Sequence, residues 1–335
     1  MPELSTVYPL FIAFIITVLA TRLLLPLIKY YGLIDDPKIH KHPAILHQKA
    51  TPRGGGIPLF LGIFITAFFF IPITGITISI FIASLLALLI GILDDKLNAS
   101  SRDVSPYLRF GINILCAVIV VESGVTIPFI TNPLGGILML NEPLFLWITA
   151  GDIISGIWIV WVMNMLNWSK GVDGQMPGIV AISAFVIGLL SLRFPFLDAT
   201  SLIDARLSFI IAGAALGFLV FNFYPAKIFP GYGATFMYLL LAVVSILSSA
   251  KLATAILVMG VPIIDALFTI ARRILSGKSP FWHDKKHLHH LLLKLGYSQR
   301  QIALFYWIIS AIVGTIALTL ESKSKLFAIL VLLVI

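Results

Sequence analysis

Two adjacent carboxylates, Asp94 and Asp95, close an apolar stretch in Gly91-Ile92-Leu93-Asp94-Asp95-Lys96. If that stretch is a helix, they sit at its C-terminus, where the helix dipole disfavours further negative charge. Paired acids there point to a cation or a positively charged partner; a solvated loop start helped by Lys96 is the alternative. Asn164 and Asn167 are spaced to share a helical face and lead into Trp168-Ser169-Lys170-Gly171-Val172-Asp173-Gly174. Amides at the edge of an apolar run are costly unless paired or functional, and glycines beside them let backbone N–H groups approach a phosphate. An ordinary glycine-containing helix end is the plainer reading. His287, His289 and His290 follow Lys285 and Lys286. Imidazole and ammonium groups together suit phosphate binding and proton handling. A His-x-His-His run without a third ligand type at a known spacing is weak evidence for zinc.

Three further positions carry weaker signals. Arg53 precedes Gly54-Gly55-Gly56, and a guanidinium fork beside open backbone amides suits an anion, as does a merely flexible entry to the next helix. Asn222 ends an apolar run ahead of Tyr224-Pro225, and could equally mark a turn. Asp265 lies inside an apolar run after Pro262, and an intramembrane carboxylate is a functional candidate or a hydrogen-bond tie to a neighbouring helix.

Elements able to position these groups follow from composition. Of 335 residues, 59% are hydrophobic and 11% charged, against roughly 25% charged in a soluble domain. Mean hydropathy is +1.04. That excludes a soluble enzyme, disorder, collagen-like repeats and a coiled coil. Cys116 is the one cysteine, so neither a disulfide framework nor a cysteine zinc site is available. A membrane crossing takes about 20 apolar residues, and lipid forces the crossing segments to be helical. The pattern predicts spans near 7–28, 56–73, 75–93, 105–122, 149–167, 175–192, 206–223, 232–249, 252–273, 301–320 and a short 325–335. The fold class is therefore an all-α polytopic transmembrane bundle of about 10–11 spans, formed as a single domain over 1–335. The first span lacks a basic leader and a small-residue cleavage site, so it reads as retained.

Orientation comes from the lysines and arginines. The loops 29–55, 94–109 and 272–300 are rich in them, and Lys170 and Lys227 fall on the same side. The opposite loop 123–148 has none. The positive-inside rule makes the rich side cytoplasmic and the N-terminus external. The net charge of +8 is then a cytoplasmic face suited to anionic lipid headgroups and phosphorylated substrates. Every segment singled out above lies on that side, which predicts one site at the cytoplasmic mouth.

In combination these segments resemble the polyprenyl-phosphate N-acetylhexosamine-1-phosphate transferase family of bacterial membrane enzymes. The similarity runs in order through Pro52-Arg53-Gly54-Gly55, Asp94-Asp95, 164–174, Asn222 to Gly231, Pro262-x-x-Asp265, Arg272-Arg273 and the histidine run. Ser279-Pro280-Phe281 and Asp284-Lys285-Lys286-His287-Leu288-His289-His290 look more like the branch using UDP-N-acetylglucosamine than the one using UDP-muramoyl-pentapeptide. The resemblance implies transfer of a sugar 1-phosphate from a UDP-N-acetylhexosamine to undecaprenyl phosphate with release of UMP and with Mg²⁺, in a bacterial plasma membrane. It assigns Asp94 and Asp95 to orienting the acceptor phosphate or a metal. Asn164, Asn167 and Asp173 would hold the nucleotide sugar or metal, with Asp173 the metal ligand, and His287, His289 and His290 would contact the diphosphate. Arg53, Lys170 and Asn222 join the substrate-binding set. Membrane lipids are further partners, nucleic acid is not expected, and a homodimer stays open. Two positions depart from the family pattern. Lys170 stands where an aspartate is usual. Pro230-Gly231-Tyr232-Gly233-Ala234-Thr235 replaces a Met-Gly-Asp-x-Gly-Ser run, putting Tyr232 in the place of a carboxylate expected on Mg²⁺. A phenol is a poor Mg²⁺ ligand. Lys170 is then expected to supply part of the metal's charge. The alternative is a degenerate homologue that binds lipid phosphate or nucleotide sugar, or scaffolds a glycan-assembly complex, without turnover.

Overall fold

The computed structural model describes residues 2–39, 47, 49–132, 135–193, 199–247, 252–280 and 286–334. Its helices are α1 (Pro2–Tyr30), α2 (Gly56–Phe70), α3 (Gly75–Asn98), α4 (Pro106–Val121), α5 (Ala150–Trp168), α6 (Gln175–Ser191) and α7 (Ala199–Asn222). Then come a single 3₁₀ turn at Tyr232–Ala234, α8 (Thr235–Ile246), α9 (Leu252–Val258), α10 (Gly260–Leu275), α11 (Leu288–Lys294), α12 (Gln299–Thr319) and α13 (Ser322–Val334). Short strands β1 (Ile34–Asp35) and β2 (Thr51–Pro52) pair antiparallel before α2. The α4–α5 connection folds as two small hairpins, β3 (Phe129–Thr131) with β4 (Ile137–Met139), and β5 (Pro143–Phe145) with β6 (Ile148–Thr149).

Among the described residues, five helices are long and apolar enough to cross a membrane: Ser5–Tyr30, Gly75–Asn98, Ala150–Trp168, Ile203–Asn222 and Gln299–Thr319. Four shorter apolar helices pack among them. This is a polytopic, all-α, multi-pass membrane protein. Reciprocal side-chain caps set three helix starts, Thr74 with Thr77, Thr149 with Asp152 and Ser298 with Gln301. Each pair satisfies N–H groups that the first turn leaves without a partner.

One expectation changes and another gains a place in the bundle. The straight span predicted over 252–273 is broken at Met259, and α9 and α10 meet at 77°. Pro262 lacks the N–H that a continuous helix needs, and its ring collides with the carbonyl one turn earlier. Hydropathy registers neither effect. The run predicted to span over 232–249 contains α8, every residue of which is buried. A helix apolar all round belongs inside a bundle, and α8 packs against α5, α3, α7 and α6. It forms the central post. Its N-terminal turn is thereby presented to the C-terminal ends of α3 and α5.

Candidate functional site

Asp95 is 1% exposed, and donors surround it. Its Oδ1 accepts from Arg53 Nε at 3.0 Å and from the Tyr232 N–H at 2.8 Å, and its Oδ2 accepts from the Gly233 N–H at 3.1 Å. Arg53 Nη1 also donates to Asp35 Oδ2 at 3.1 Å and to Asn98 Oδ1 at 2.6 Å. Asp94, equally buried, accepts from Arg109 Nη1 at 3.1 and 3.2 Å and from the Val104 N–H at 3.2 Å. The positive partners that the carboxylate pair demanded are therefore two arginines, and burial excludes the solvated loop start. The Gly55 N–H, read as open to an anion, donates instead to Phe229 O at 3.0 Å. Glycine is required at 231. Its φ is +66°, and a Cβ there would lie 2.1 Å from Asp95 Oδ2.

Lys170 extends from the α5–α6 loop to the same turn. Its Nζ donates to Gly231 O and to Asn167 Oδ1, both at 2.8 Å. Asn167 Nδ2 donates to Thr235 Oγ1 at 2.8 Å, and Thr235 Oγ1 donates to Tyr232 O at 2.6 Å. Burial lowers the Lys170 ammonium to about 7, Arg53 adds to the effect, and Asp95 and Asp94 oppose it. Two cations lie over the Tyr232 ring, Arg109 Cζ at 5.0 Å and Lys170 Nζ at 5.6 Å from its centroid. Asn113 Nδ2 reaches the Tyr232 hydroxyl at 3.3 Å.

The histidines arrive from the other side. Asp265 Oδ2 lies 2.9 Å from His287 Nδ1, and Asp265 Oδ1 accepts the Leu288 N–H at 2.7 Å, so α10 holds the start of α11. His289 stacks on His287 with centroids 5.6 Å apart and touches His290 at 4.3 Å. Its ring covers Gly171, where a Cβ would lie 1.9 Å from Nε2. Burial, then His290 and His287, hold the His289 imidazole neutral. The histidine helix and the Lys170 loop thus share one mouth of the bundle. Phe281 to Lys285 lie outside the described residues.

The remaining sequence-predicted residues have structural partners beside this cluster. Asp173 Oδ2 accepts the Ala226 N–H at 2.9 Å, and burial raises its carboxyl. Asn222 joins the Gly174 N–H, at 3.1 Å, to Ile228 O, at 2.8 Å. Asn164 is not brought into the cluster. Its Nδ2 donates to Val160 O at 2.7 Å, and the side chain lines an apolar cleft of about 740 Å³ between α4, α5 and α10, with Phe110, Ile114, Ile157, Trp161 and Ile270. Sequence reasoning missed Asn98, Arg109, Asn113 and Thr235. Arg109 and Asn113 are lone polar residues in an apolar helix, Asn98 is one of several polar residues after Asp95, and Thr235 ends the altered 230–235 run; only the fold aims them inward.

A divalent ion is a general expectation of the resemblance, and the donors here do not fit it. Mg²⁺ takes hard oxygens in an octahedron at roughly 2.0–2.1 Å. The oxygens of Asp95 and Asp94 face guanidinium and amide donors, and an ammonium and a phenol ring complete the cluster. Among the described residues no group of three His, Cys, Asp or Glu side chains is placed to hold a metal.

A family model described as glycosyl transferase family 4 matches residues 77–249, the stretch containing Asp95, Lys170 and Tyr232. The chain is 31% identical to the probable undecaprenyl-phosphate N-acetylglucosaminyl 1-phosphate transferase of Bacillus subtilis, over 96% of this chain and 89% of that protein. It is 30% identical to the decaprenyl-phosphate N-acetylglucosaminephosphotransferase of Mycobacterium tuberculosis (90% and 79% covered). It is also 30% identical to the undecaprenyl-phosphate alpha-N-acetylglucosaminyl 1-phosphate transferase of Haemophilus influenzae (92% and 85%). The chain belongs to glycosyl transferase family 4, among the polyprenyl-phosphate N-acetylhexosamine-1-phosphate transferases.

Proposed function

We propose that the protein transfers an N-acetylhexosamine 1-phosphate from its UDP-sugar to undecaprenyl phosphate, releasing UMP, at the cytoplasmic face of a bacterial plasma membrane. One observation carries the reading: a largely buried cluster of arginine–carboxylate pairs, amides and Lys170 at one end of the bundle adjoins an apolar cleft through a single helix, α5. Asn164 lines the cleft and Asn167 binds Lys170. A lipid phosphate has these two halves. In this arrangement the prenyl chain lies along α4, α5 and α10, and its phosphate is delivered toward Lys170. The histidine helix and the Gly171–Gly174 loop close the donor side. Sugar-nucleotide diphosphate and lipid phosphate repel each other, so catalysis consists of holding them in line and neutralising charge.

Incubation of the purified protein with radiolabelled UDP-N-acetylglucosamine and undecaprenyl phosphate is the direct test. Equal amounts of labelled lipid diphosphate and UMP are expected; absence of lipid-linked label under every ionic condition removes the reading and leaves the non-catalytic homologue. The cleft has its own test. Gly156 faces it, and a Cβ added there would meet nothing within 4 Å, so Gly156→Leu narrows the channel and strengthens the helix by about 1 kcal/mol. The KM for undecaprenyl phosphate should rise by about tenfold, the equivalent of roughly 1.4 kcal/mol, with the KM for the UDP-sugar unchanged. An equal rise in both would place the lipid elsewhere.

A further inference from the structure

The positions of Lys170 and Tyr232 belong to one construction. The ammonium is fixed by two hydrogen bonds, to Gly231 O and Asn167 Oδ1. An ammonium has three donors, so among the described residues one N–H remains for a ligand. That ammonium and the Arg109 guanidinium both lie over the Tyr232 ring, whose π-system attracts cations. Asn113 meets its hydroxyl, and Asp95 grips its backbone N–H. Arg53 and Arg109 in turn neutralise Asp95 and Asp94. The cluster is thus pre-assembled: two guanidiniums that stay charged and already pair with the carboxylates, and a lysine that burial alone lowers to about 7 and that an incoming phosphate dianion holds in its charged form. Placing a divalent ion there would require evicting the ammonium and turning both carboxylates away from their arginines.

We propose that this chain performs its phosphoryl transfer without a resident divalent metal, with the Lys170 ammonium as the cation that faces the reacting phosphates. The proposal rests on the transferase reading above. In the step it serves, an oxygen of the lipid phosphate forms a bond to the sugar-bearing phosphorus. The bond from that phosphorus to the bridging oxygen breaks, and its electron pair leaves with UMP. Both phosphate reactants and both products are fully ionised, so charge balances with no proton gained or lost. A rigid ammonium beside this centre stabilises charge as it moves to the leaving phosphate, and its two tethers mean that it need not reorganise when that happens.

The test uses the full chain in lipid-supplemented micelles and has an arm that does not depend on turnover. Free Mn²⁺ is followed by electron paramagnetic resonance as protein is titrated in, and initial transfer rates are compared in excess EDTA and in Mg²⁺. The expected result is that Mn²⁺ stays free and that EDTA changes the rate by no more than about twofold, a small change on the free-energy scale of kinetics. Lys170→Met should lower the rate on the order of 10²–10³-fold, the scale of losing one preorganised donor, and Lys170→Arg should recover part of it. The double substitution Lys170→Asp with Tyr232→Asp changes the local charge by about three units; it should bind one Mn²⁺ and make any transfer metal-dependent. The proposal is overturned if the unaltered protein removes one equivalent of Mn²⁺ from solution, or if EDTA abolishes its transfer and Mg²⁺ restores it. If no transfer occurs under any condition, the transferase reading fails. The Mn²⁺ titration of the unaltered protein, which needs no variant to fold, then decides the metal question separately.

Discussion

Asp95→Asn is expected to remove nearly all transfer activity and to lower the thermal unfolding midpoint measurably. The substitution is almost isosteric, so the effect isolates charge. Asp95 accepts from Arg53 Nε, the Tyr232 N–H and the Gly233 N–H. A carboxamide offers one acceptor oxygen and turns an NH₂ group toward these donors. Breaking one half of a buried ion pair costs about 3–5 kcal/mol. Here the same carboxylate also holds the Gly231–Gly233 turn, whose Gly231 carbonyl positions Lys170. Lys96→Gln, on the adjoining exposed position, serves as the control and should fall within about 0.5 kcal/mol of the parent. If Asp95→Asn unfolds at the parent temperature and retains its rate, the carboxylate does not organise this turn.

Gly171→Ala should raise the KM for the UDP-sugar by about 10- to 100-fold, with a smaller effect on the lipid acceptor, because overpacking of this kind costs about 1–3 kcal/mol. The added methyl would sit 1.9 Å from His289 Nε2, and His289 cannot swing away freely. It is 2% exposed and stacked between His287 and His290, and Asp265 holds the start of its helix. The strain therefore moves α11 as a unit and parts the histidines from the Lys170 loop. A double-mutant cycle checks the cause. In a His289→Ala background the methyl has room, so adding Gly171→Ala should cost little more. Additive losses would show that the alanine acts through the loop and not through the ring.

How far the site could be read from the sequence depended on the range of the signal. Asp94 and Asp95 were legible because two carboxylates at the end of an apolar run are locally costly. Their need for positive partners followed, and the identity of those partners did not. Arg53 lies 42 residues from Asp95, and Arg109 lies 15 from Asp94. Which guanidinium meets which carboxylate depends on how helices cross. Asn164 and Asn167 illustrate the same limit. Helical periodicity puts them on one side of α5, and packing sends one to the apolar cleft and the other to Lys170. Asn98 and Asn113 left no trace, since one polar residue among polar neighbours, or alone in an apolar run, has many structural uses, and Thr235 stood in the altered 230–235 run with no role attached.

Composition and charge distribution by themselves determined that the chain is a helical membrane protein, and they predicted that its candidate site residues lie at the lysine-rich ends of its helices. Those are properties of transfer from water to lipid, and each segment carries them alone. Tertiary structure decided that α8 is the buried post, that the ninth expected span breaks at Met259, that Asp95 closes on the Tyr232 turn, and that His289 rests on Gly171. These outcomes are energies of contact between segments far apart in the chain, which no local pattern of residues encodes.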